Sequence, residues 1–75
     1  MRLRDDALRA ILGVLAGISC QITTDGTRVE FDHPTGLMTA ADRLIAAGLD
    51  VSADGLHVLI LPADWQDTIT KGETA

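Results

Sequence analysis

One cysteine, Cys20, stands among 75 residues, so no intrachain disulfide can form and a four-cysteine zinc site is excluded. Aromatic residues are nearly as scarce. Phe31 and Trp65 are the only two, with no tyrosine, which leaves the core to Leu, Ile, Val and Ala. Six Lys and Arg stand against eleven Asp and Glu, and the formal charge of −5 argues against a general affinity for nucleic acid or anionic membranes. A partner with a basic surface remains compatible with it. No apolar run is long enough to span a bilayer. Residues 1–20 have the outline of a leader ending in a lipidated cysteine. Asp5 and Asp6 break the charged segment, and Gly17, Ile18 and Ser19 depart from the small-residue pattern before such a Cys. A cytoplasmic location is therefore expected. The chain also lacks a phosphate loop, a nucleophile elbow and a Rossmann glycine pattern.

What is present is organised around two Asp-Gly pairs, Asp25-Gly26 and Asp54-Gly55, each between segments rich in apolar residues. Asp-Gly as a two-residue loop suits a type I′ turn, which needs positive φ at both positions. Counting outward from the first pair sets Ile22 opposite Val29 and Cys20 opposite Phe31. Gln21 with Glu30 and Thr23 with Arg28 fall on the other face. Apolar and polar residues sort cleanly, and a one-residue slip would undo the sorting.

The same count from the second pair sets Val51 opposite Val58 and Leu49 opposite Ile60. Ser52 with His57 and Asp50 with Leu59 then share the other face, with Leu61. Residues 57–61 are thus apolar on both faces, as in a strand covered on both sides. Two outcomes are open. Trp65 and the tail fold over Leu59 and Leu61, or those leucines serve a protein interface; the second is preferred.

A helix is expected over residues 5 or 6 to 16, with Leu8, Ile11, Leu12, Leu15 and Ile18 as its apolar stripe and Gly17 as its stop. Residues 32–36 read as a loop through Pro34 and Gly36. A short second helix is expected to start at Thr39, where Asp42 completes a capping pattern, and to stop at Gly48. The expected fold is α+β, in the order α-β-β-α-β-β, with a four-stranded antiparallel sheet and two helices on one face. Residues 1–62 form a single small domain in this reading, and 63–75 a weakly ordered C-terminal tail.

Chemistry-bearing residues are few. Cys20 faces Phe31, where a thiol packs as a small hydrophobe rather than serving as a nucleophile with His33 or His57. His33, Asp32 and His57 offer a minimal ligand set without close spacing, so no metal or other cofactor is expected. Most aspartates suit turns and caps. No catalytic residue is assigned, and a minimal enzyme or metal protein using Cys20, His33 or His57 is the least favoured class.

From Leu8 to Ala47 the order of features resembles the β-hairpin docking domains of non-ribosomal peptide and polyketide synthases, the TubC type. The matching residues are Gly17, Ile18, Asp25, Gly26, Val29, Phe31, Pro34, Gly36 and Thr39. The resemblance implies capture of a short C-terminal peptide by strand addition, along residues 27–31 or their partner strand. The second hairpin departs from that family's pattern, in which a further helix is expected. The preferred expectation is a small non-enzymatic protein-binding module, such as a phage- or mobile-element-encoded inhibitor of a host protein, with a synthase docking domain as runner-up. The expected partner is another protein or a second copy in a homodimer, and neither nucleic acid nor a membrane. The expected contact residues are His57, Leu59, Leu61, Asp50, Trp65, Arg28 and Glu30.

Overall fold

In a computed structural model describing residues 3–74, the elements run α1 (Asp5–Val14), β1 (Cys20–Ile22), β2 (Arg28–Phe31), α2 (Pro34–Ala46), β3 (Ser52–Ala53), β4 (Val58–Ile60) and α3 (Trp65–Thr74). The strands form one antiparallel sheet in the order β1-β2-β4-β3, so the hairpins lie side by side with β2 against β4. This is the expected α+β fold with its four-stranded antiparallel sheet, extended by a third helix.

The first hairpin pairs as counted: Cys20 with Phe31, Gln21 with Glu30 and Ile22 with Val29. Its tip is different. The Thr23 amide donates to the Arg28 carbonyl at 3.0 Å and the Gly26 amide to the Thr23 carbonyl at 2.9 Å, so the loop spans residues 24–27. Gly26 has φ +72° while Asp25 does not reach positive φ, which rules out a type I′ turn. The loop grows by one residue on each side, and the register survives.

The second hairpin does not pair as counted. Ser52 pairs with Ile60 and Ala53 with Leu59, and the Asp54 amide donates to the Val58 carbonyl at 2.8 Å. The loop therefore spans 55–57, and the register moves by an odd number of residues. An odd shift exchanges the two faces of a strand. Leu59 lands opposite Val29 on the inner face, while Val58 and Ile60 turn outward. Leu59 is 1% exposed and Leu61 5%, against 38% for Ile60.

The helices close over the inner face, where Val29, Phe31 and Leu59 join Ile11, Leu15, Leu37, Leu44 and Trp65 in one core. Along α1 and its C-cap residue Leu15 the buried face is rotated from the expected stripe: Ala7, Ala10, Ile11 and Leu15 are buried, whereas Leu12 is half exposed. The two alanines leave room for α3, against which α1 chiefly packs. Helix α2 begins at Pro34, not at Thr39. Proline suits a first helical position, where its missing amide has no partner to lose. Thr39 lies inside the helix with its hydroxyl donating to the Thr35 carbonyl at 3.0 Å.

The tail is the largest correction. Residues 65–74 form α3 rather than a weakly ordered segment, and residue 75 lies outside the described residues. Trp65 and Ile69, one turn apart, are buried. The Trp65 indole donates to the Gly26 carbonyl at 2.6 Å. The Arg4 amide donates to Gln66 Oε1 at 2.7 Å, and the Arg4 guanidinium meets Asp67 at 3.0 Å. The domain thus continues past residue 62, and its ends are tied to each other.

Candidate protein-binding surface

The leucine surface anticipated from the sequence is part of the core. Leu59, Leu61 and Trp65 are at most 5% exposed, so none of the three is open to a partner. The four remaining residues are exposed but dispersed. Arg28 and Glu30 stand on the outer face of β2, beside Ile60 and Val58 of β4. Asp50 lies in the link between α2 and β3. His57 is the last residue of the second loop, with Nδ1 3.1 Å from the Phe31 carbonyl. A carbonyl only accepts, so Nδ1 carries the proton in that contact.

The strand order exposes a different feature. With β2 between β1 and β4, residues 27–31 cannot be a docking edge; β1 and β3 are the two edges. On β1, the Thr23 amide donates to the Arg28 carbonyl and the Ser19 carbonyl accepts from the Asp32 amide, so residues 19, 21 and 23 point their backbone groups at β2. Antiparallel alternation then directs the amides and carbonyls of Cys20 and Ile22 away from the sheet. Their side chains are half buried at the rim of the core.

The two edges differ in protection. β3 is two residues long and is flanked by Asp50 and Asp54, and a short edge with charges at its ends resists pairing. Residues 18–24 around β1 carry no charge and no proline, although 23% of the chain is charged. Two clefts follow the same stretch. One of about 370 Å³ is lined by Gly17, Ile18 and Ser19 with His33, Thr39 and Arg43. Another, of about 190 Å³, is lined by Gln21, Ile22, Thr23 and Thr24 with Glu30.

The residues considered for catalysis do not converge. Burial and the nearby Asp32 carboxylate push the Cys20 thiol above its ordinary pKa, so the thiolate is disfavoured. The Ser19 hydroxyl donates to Asp32. Arg43, in the larger cleft, donates to the Ala16 carbonyl at 2.8 Å and the Val14 carbonyl at 3.2 Å, closing the C-terminal end of α1. Among the described residues no group of three His, Cys, Asp or Glu side chains could hold a metal ion. No helix among them is long and apolar enough to cross a membrane.

The chain matches no protein-family model, and no curated protein or solved structure is detectably similar to it. Cys20 and Ile22, on the β1 edge, are not among the contact residues expected from the sequence. The charge-free stretch that marks them is visible in the sequence, but its place at an edge follows only from the strand order.

Proposed function

We propose that this protein is a non-enzymatic module that binds another protein by taking an extended segment of it onto β1. The observation that carries the reading is the contrast between the edges: β3 is short and fenced by aspartates, while β1 is uncharged with its outward backbone groups open. Strand addition uses such an edge, with main-chain hydrogen bonds supplying affinity and alternate side chains supplying selectivity. The resemblance of residues 8–47 to synthase docking domains points the same way, now through β1 alone. Cys20 and Ile22 offer four outward hydrogen-bonding groups, so the contact is small and a reversible complex is expected.

Selection from a displayed library of random linear peptides tests this, comparing wild type with Cys20→Pro and Cys20→Ala. Proline is tolerated at the first residue of an edge strand, yet it removes the outward donor at position 20. Peptides recovered on wild type should persist on Cys20→Ala and be lost on Cys20→Pro. Retention on the proline variant, or recovery of no peptide at all, refutes strand addition at β1.

A further inference from the structure

We infer that the segment taken up by β1 carries a lysine or arginine between two apolar residues, with the basic side chain set against Glu30. The inference rests on the strand-addition reading and adds the chemistry of the partner. A strand beside β1 places two residues opposite Cys20 and Ile22, where main-chain bonds form. Their side chains lie on the inner face, next to the half-buried Cys20 and Ile22. Apolar residues there complete the rim of the core.

The residue between them lies opposite Gln21 and points to the outer face, as Gln21 does. Glu30 is the cross-strand partner of Gln21 on β2, exposed, and shares with it the cleft of about 190 Å³. Two strand spacings separate the added strand from β2, roughly 9–10 Å. A Lys or Arg stem laid across Gln21 and the Glu30 side chain together close that gap. The next outward position, opposite Thr23, faces Arg28 instead, whose own cross-strand rung is Thr23. A second base is disfavoured there. Glu30 and Arg28 thus set the sign of charge favoured opposite Gln21 and Thr23, and the net charge of −5 favours a basic segment at longer range.

The test uses two synthetic peptides of the pattern apolar-X-apolar in an otherwise uncharged extended sequence, one with Lys at X and one with Glu. Each is titrated against wild type, Glu30→Lys and Cys20→Pro by chemical-shift perturbation. Glu30 is exposed, so its variant keeps the fold. Wild type should bind the Lys peptide several-fold more tightly, Glu30→Lys should reverse the preference, and Cys20→Pro should abolish both. Equal binding of the two peptides that still disappears in Cys20→Pro overturns the charge assignment and leaves strand addition standing. Binding unaffected by Cys20→Pro, or absent for both peptides, overturns strand addition and with it this inference.

Discussion

The Trp65 indole N–H and the Gly26 carbonyl, 39 positions apart in sequence, meet at 2.6 Å in a buried contact that fastens the first turn of α3 to the tip of the first hairpin. The tip is closely packed there: a Cβ built on Gly26 would lie 3.2 Å from Leu3 Cδ1 and 3.6 Å from Trp65 Cζ2. Trp65→Phe keeps most of the apolar contact but strands a buried acceptor. A buried acceptor left without its donor costs about 1–3 kcal/mol. Urea unfolding followed by far-ultraviolet circular dichroism should show a lower midpoint with the slope unchanged. A midpoint equal to wild type would mean that this bond does not hold α3.

Leu59 and Ile60 are neighbours on β4 with opposite fates, and they test the register of the second hairpin. Leu59 is 1% exposed at the centre of the sheet, so Leu59→Ala should destabilise by about 2–5 kcal/mol through lost burial and the cavity left behind. Ile60, 38% exposed on the outer face, should lose less than about 1 kcal/mol on the same change. Denaturant melts of the two variants settle the matter. The reverse order of losses would restore the pairing counted from a two-residue Asp54-Gly55 loop.

That pairing shows how far the sequence could be read. In the first hairpin, polar residues alternate with apolar ones, so a single register puts Ile22, Val29 and Phe31 on the inner face, and a different turn geometry changed nothing downstream. In the second, residues 57–61 offer apolar side chains to both faces. Either parity then buries something, and the periodicity cannot choose between them. The turn decided, by forming a three-residue loop over residues 55–57 in place of the two-residue Asp54-Gly55 loop. Helix α3 was hidden for another reason. Its buried face rests on Trp65, Gln66 and Ile69, and its docking depends on Arg4, more than sixty positions away. The β1 edge was legible as an uncharged stretch, but only tertiary pairing of β2 with β4 makes it an edge.

Asp25 gives the first hairpin a pH dependence with a definite sign. Its carboxylate accepts from the Thr23 hydroxyl at 2.7 Å, the Thr27 hydroxyl at 2.8 Å and the Thr27 amide at 3.1 Å. These bonds favour the charged form and hold the carboxyl down to about 2. An unfolded aspartate titrates near about 3.9. The folded chain therefore binds the proton less readily than the unfolded chain. The contribution is complete above the unfolded value and is lost as pH falls through the folded one. Side-chain carboxyl shifts followed by NMR should place the Asp25 midpoint well below those of ordinary exposed aspartates. Asp25→Asn should remove the part of the stability loss that falls between about pH 4 and pH 2. An ordinary midpoint for Asp25 would mean that the threonine bonds do not form in solution.

Cys20 separates a binding protein from a thiol enzyme. The residue is half-buried on the inner face, and burial with the Asp32 carboxylate raises its pKa. Alkylation proceeds through the thiolate, whose share at a given pH falls as the pKa rises. Iodoacetamide should therefore modify Cys20 more slowly than glutathione at pH 8, and the rate should climb with pH beyond the range where a free thiol has levelled off. Asp32→Asn removes the nearby negative charge, so it should speed the reaction, although burial, the larger cause, remains. A strand seated on β1 would cover the rim at Cys20, so the peptide that binds most tightly should slow alkylation further. Fast modification with a midpoint below that of a free thiol would reverse the assignment, because an activated nucleophile needs a stabilised thiolate and the Cys20 site disfavours one.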